Sequence, residues 1–127
     1  MSKSIQTEVQ KRKERGKERV KQTAEVFTPM ELCKQMVRNL PQEKLCSPKT
    51  RYIDNSCGDG NFLVALLEVL TEEYGHERKN VVDNQLFGVD LMPDNISEVK
   101  RRLNVSDDHP HFVCADALTY DYSFNGE

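Results

Sequence analysis

No apolar run in this chain approaches the ~20 residues needed to span a bilayer, so a membrane-spanning helix is not expected. The opening residues, Met1-Ser2-Lys3-Ser4-Ile5-Gln6, lack the apolar stretch of a secretory signal. The cysteines, at 33, 46, 57 and 114, contain no C-x-x-C pair, and the histidines at 76, 109 and 111 do not complete a zinc pattern. A metal is therefore not expected, and reduced thiols in a cytosolic protein are the plain reading. Internal repeats are lacking too. At 127 residues the chain holds one small domain at most. Its hydrophobic fraction of 37% and charged fraction of 31% suit a globular protein with some polar segments.

The net charge of −3 is unevenly spread. Residues 1–25 hold eight Lys or Arg against four Glu, whereas residues 26–127 hold ten against 17 Asp or Glu. The basic part is concentrated in residues 11–21, from Lys11 to Lys21. Such a stretch could contact phosphates. The preferred reading is a solvated, frayed helix or disordered arm, since Gly16 interrupts it, glutamates dilute it and it has almost no apolar face.

Thr28-Pro29-Met30-Glu31 reads as a capping box that opens a helix, with Leu32, Met36, Val37 and Leu40 at helical spacing and Pro41 at the end. Residues 42–50 read as a polar connection. Arg51 to Asp54 reads as a strand, Phe62 to Leu70 as a buried helix, and Gly75 as its stop. His76 to Asn84 reads as a charged surface loop or extra turn. Gln85 to Asp90 is the second strand. Pro93 opens a helix with Ile96, Val99 and Leu103 inside and Lys100, Arg101 and Arg102 largely outside. His111 to Cys114 is the third strand. The order of helix, then β-α-β-α-β, implies parallel strands and one half of a doubly wound sheet.

Ligands of such sheets lie at the carboxyl ends of the strands. Asp54, Asp90 and Asp116 fall there, around the loop Cys57-Gly58-Asp59-Gly60. Gly58 and Gly60 let a ligand approach the backbone closely, and the helix behind them offers free N–H groups. A dinucleotide G-x-G-x-x-G would need glycine where Leu63 stands, and Asp59 puts negative charge where phosphates would lie. A ligand with an amino group and a carboxylate fits better. Asp90 is placed to accept two bonds from a ribose diol, and Asp116 one from an adenine amino group. Leu91 and Phe27 are apolar candidates to sandwich the base.

Four segments resemble the amino-terminal part of N6-adenine DNA methyltransferases of restriction–modification and phage type. Glu25-Val26-Phe27-Thr28-Pro29 is similar to that family's F-T-P segment, and the resemblance places Phe27, Thr28 and Pro29 at the methionine end of S-adenosylmethionine. Asp54 to Phe62 resembles its D-P-x-C-G-x-G-x-F loop, with Asn55 in place of proline. The resemblance thereby assigns Asp54, Cys57, Gly58, Gly60, Asn61 and Phe62 to the cofactor. Gly88-Val89-Asp90-Leu91 resembles the ribose-binding strand end, and Cys114-Ala115-Asp116-Ala117-Leu118 the adenine-binding segment. The fold implied is α/β: a Rossmann-like class I methyltransferase half-domain with an incomplete parallel sheet.

The family's catalytic N-P-P-Y/F or D-P-P-Y/F occurs nowhere in the 127 residues. In that family these residues receive the amino group and the flipped base. The expectation is a cofactor-binding portion, truncated before the catalytic loop and inactive alone, reaching DNA through a complete enzyme or partner subunit. The alternative is a non-catalytic relic that binds cofactor or a protein partner. A different small-molecule enzyme is disfavoured by Leu63 and the F-T-P segment. The expected divisions are a basic arm at 1–24, a cofactor-binding domain at 25–121 and a polar tail at 122–127. The first strand is expected to leave an open sheet edge, available to another copy or a partner. The expected location is the cytoplasm of a bacterium or of a phage-infected host.

Overall fold

A computed structural model describes residues 29–124. The basic arm, Phe27 and Thr28 lie outside the described residues. Three short parallel strands form one sheet in the order β1-β2-β3: Tyr52–Asp54, Leu86–Asp90 and Phe112–Cys114. In register, Ile53 pairs with Phe87, Asp54 with Gly88, and Asp90 with Cys114. The mixed order and open parallel sheet are those of an incomplete Rossmann-like half-domain.

Helix α1 spans Met30–Arg38, and the Pro29 carbonyl accepts its first bond, from the Cys33 N–H at 3.0 Å. The buried stripe is Cys33 and Val37, one position round from the expected one, and Leu32 and Met36 are about half exposed. The reason is that α1 packs chiefly on the long helix α3 (Asn61–Glu72), which needs a narrow stripe. Lys34 and Glu68, and Arg38 and Glu73, bridge the two helices at 2.9 and 2.8 Å.

The connection expected at 42–50 contains a short helix, α2 (Gln42–Cys46). One apolar residue accounts for it: Leu45 is fully buried, and its carbonyl meets His76 Nε2 at 2.7 Å. Past α3, Gly75 takes the left-handed φ of 71° while the His76 N–H returns to the Leu70 carbonyl at 3.0 Å, a glycine-terminated helix end. The segment expected as a surface loop is instead a helical turn, α4 (Arg78–Asn80), running into a π-helical turn at Val81–Gln85. Val81 and Val82 anchor it in the core, and the buried Gln85 amide donates to the Ser47 and Thr50 carbonyls at 3.3 and 3.1 Å. Helix α5 (Pro93–Leu103) buries Ile96, Val99 and Leu103 as expected, and Asn104 closes it at φ 55°.

Strand alternation divides the core in two. Leu86 and Phe112 join the buried residues of α1, α3 and α5 on one face. Phe87 and Val89 point to the other, where Phe124, Tyr120 and Tyr122 cover them. Tyr122 and Phe124 thus bring aromatic packing from a segment that reads as a polar tail, with Phe124 4.9 Å from the Phe87 ring.

Candidate functional site

The three strand ends carry the expected acids, and the loop between β1 and α3 is built around two of them. Asp54 Oδ1 accepts the Ser56 N–H at 3.1 Å, which turns the chain out of β1. The Cys57 N–H then bonds the Val89 carbonyl at 3.1 Å, tying the loop to β2. Gly58 and Gly60 both have left-handed φ, 54° and 96°. At Gly60 a side chain is excluded twice, since a Cβ there would also stand 3.0 Å from Val99 Cγ2. Gly60 then caps the amino end of α3.

Asp90 organises the loop. Its Oδ1 accepts the Gly58 N–H at 3.1 Å, and its Oδ2 accepts the Met92 N–H at 3.0 Å and Asn95 Nδ2 at 2.9 Å. A carboxylate offers about four lone-pair positions. Three are therefore committed within the protein, and a ribose diol would find room for one hydroxyl, not two.

A cavity of about 320 Å³ opens between α1, β1 and this loop. Asp54, Cys57, Gly58, Asn61 and Phe62 line it, as does Met36 of α1. Asp90, Leu91, Asp116 and Ala117 are outside that lining. Leu91 is mostly exposed. Asp116 Oδ1 accepts the Leu118 N–H at 2.9 Å in the turn after β3, and Ala117 packs against the second face of the sheet. Pro29 is exposed at the start of α1.

The electrostatics favour a cation. Burial pushes the Asp54 carboxyl above the usual carboxylate range, and the charge of Asp90 pushes it the same way against the Ser56 N–H. Burial and both acids push the Cys57 thiol up as well, so it is a neutral packing group and not a nucleophile. A positive charge beside Asp54 would offset that cost. The partial positive charge at the amino end of α3 suits a carboxylate.

Two sequence arguments change. Asp59 is buried and faces Arg102 at 3.5 Å, so its charge is balanced inside the protein and does not itself argue against phosphates. Arg102, expected outside, is directed inward. Leu63 replaces a helix glycine, yet the close approach of helix and strand survives: a Cβ on Gly88 would lie 2.8 Å from Leu63 Cδ1. Here the small residue at the contact is Gly88 of β2. Asn95, Val99 and Arg102 were not legible as site residues, because each acts on the loop from another element.

A family model for N-6 DNA methylase matches residues 13–123. The chain belongs to the N-6 DNA methylase family. Proteins of this family methylate DNA and generally take the methyl group from S-adenosylmethionine. The match runs through every strand-end acid and the whole glycine loop. A search of curated proteins found no match. Among the described residues no group of three or more His, Cys, Asp or Glu could hold a metal, and no helix is long and apolar enough to cross a membrane.

Proposed function

We propose that this N-6 DNA methylase segment is the S-adenosylmethionine-binding portion of an adenine-N6 DNA methyltransferase, and that these 127 residues do not methylate DNA unaided. The observation that carries the reading is the convergence of Asp54 and Asp90 on one glycine loop beside a cavity. An ammonium and a sulfonium suit a pocket lined by Asp54, with Asp90 holding the glycine loop just behind it. Asp54 would face the cofactor's ammonium and the amino end of α3 its carboxylate. Asp90 would accept one ribose hydroxyl. Leu91 would cover the base, and Asp116 would accept from the adenine amino group. Phe27, Thr28 and Pro29 would border the methionine end. When bound, the cofactor supplies an activated methyl group. The chain's own part is to hold it, and DNA would be engaged through a complete enzyme or a partner subunit, in the cytoplasm of a bacterium or phage-infected host as part of restriction–modification.

The second reading, a non-catalytic binder of cofactor or of a protein, is favoured by one surface. Ile53 of β1 is 54% exposed and Met36 of α1 about half exposed, and both line the cavity. An apolar strand edge of this kind is an association site. It would take a second copy or a partner strand.

Calorimetric titration with S-adenosylhomocysteine tests the first reading. The wild type should bind weakly, and Asp90→Ala should weaken binding by about 1.5–3 kcal/mol. Equal affinity of the two would sink the ribose assignment. Labelled-methyl transfer to duplex DNA should stay at background, and transfer above it would overturn the claim of inactivity. Light scattering decides the edge: a monodisperse monomer without dye-accessible apolar surface would refute association.

A further inference from the structure

Arg101 and Arg102 adjoin in the last turn of α5 but behave differently. The Arg101 side chain is 73% exposed and pairs with Glu98 on its own helix. The Arg102 side chain is 12% exposed and leaves its helix for the glycine loop. Its Nη1 donates to the Asp59 carbonyl at 3.1 Å and to Asn61 Oδ1 at 2.8 Å, with the Asp59 carboxylate at 3.5 Å. Asp59 and Asn61 flank Gly60, the left-handed residue that rests against Val99 of the same helix. Before the other end of α5, Asp90 takes the Gly58 N–H while Asn95 of that helix donates to Asp90. One helix therefore grips the loop from both ends.

We propose that Arg102 is a positioning residue: it clamps Asp59 and Asn61 so that the loop keeps the shape the cofactor meets. This rests on the reading of the loop as the S-adenosylmethionine site. Nη1 carries two N–H groups, which serve the Asp59 carbonyl and Asn61 Oδ1, while the guanidinium charge faces the Asp59 carboxylate; a lysine would have to place its ammonium at the same point from a shorter, more strongly hydrated head. A role in stability alone is separable, because a buried ion pair can be replaced by neutral groups at little cost while removal of one partner strands the other charge.

The test uses the full chain as wild type, Arg102→Lys, and the double variant Asp59→Asn/Arg102→Met, which leaves no buried charge unpaired. Amide exchange at Gly58 and Gly60 is followed by NMR in the ligand-free protein, and S-adenosylhomocysteine affinity by calorimetry. The double variant should melt close to wild type. Exchange at the two glycines should rise about tenfold, and affinity should fall about tenfold, with Arg102→Lys between. Unchanged exchange and affinity would overturn the proposal. Faster exchange spread evenly over α3 and α5 with a lowered melting temperature would overturn it too, as a merely structural pair. If the wild type binds no S-adenosylhomocysteine, the reading of the site fails, and exchange still decides the clamp: a change confined to the loop upholds it and no change overturns it.

Discussion

The two faces of the sheet are built by different means. On the first, α1, α3 and α5 close over Leu86 and Phe112, and the helix interiors are fully buried. On the second, Phe87 and Val89 are covered by a short irregular segment from Ala115 to Phe124, and Ile53 beside them stays open. The first face comes from connections that are local in sequence, since each β-α-β crossover returns a helix to the strands it joins. The second needs cover from chain that does not lie between these strands. Function follows the same division. The loop that would hold the cofactor is braced from the first face, by Asp90, Val99 and Arg102.

Five substitutions would break or sharpen that contrast. Leu66→Ala, at a fully buried position of α3, should cost about 2–5 kcal/mol in denaturant unfolding, since a cavity opens among three helices. Phe124→Ala should cost less despite the larger side chain, because its effect is capped by the free energy of docking residues 115–124 alone. Equal losses would show that the faces unfold as one unit. Gly88→Ala comes next. The new methyl would meet Leu63 Cδ1 at 2.8 Å and Cys57 Sγ at 3.2 Å, and overpacking of this kind costs about 1–3 kcal/mol. A neutral result would mean that α3 can ride away from β2.

A smaller effect concerns Asp54, where the sign can be worked out. Its folded-state affinity for the proton is raised, so its contribution to stability is complete at low pH and is lost as pH rises through the raised value. At neutral pH Asp54→Asn should therefore be more stable than wild type. The gap should shrink as pH falls and wild type takes up its proton, while the variant binds S-adenosylmethionine less well at neutral pH. Melting curves across pH check the first part. A gap that widens towards acid would contradict the burial argument. The smallest effect is Ile53→Thr, which should change stability by no more than about 0.5 kcal/mol because the residue is exposed. It should still reduce binding of an apolar dye. A large loss of stability there would show that the second face is already covered at β1.

Much of the local geometry around the glycine loop was legible from the chain alone. Strands ending in Asp54 and Asp90, the glycines between them and the helix that follows are neighbours in sequence, and local pattern reveals local geometry. Gly60 was expected to let a ligand approach the backbone, whereas the structure shows its missing side chain making room for Val99, which no local pattern reveals. Leu45 and the pair Val81 and Val82 escaped because each is a small apolar anchor in a polar stretch, with no period to reveal it. Arg102 escaped because three consecutive basic residues look alike until one of them has a buried acid within reach.

The sequence by itself determined the alternation of strand and helix, the placing of acids at strand ends and the family, because period, turn residues and motif order are properties of contiguous segments. Tertiary structure decided which of the apparent core residues of α1 are buried, how many bonds Asp90 has left for a ligand, and which arginine turns inward. Those outcomes depend on groups that lie far apart in the chain, 32 residues for Asp90 with Gly58 and 41 for Arg102 with Asn61. Charge and burial at such contacts are set only when the elements pack together.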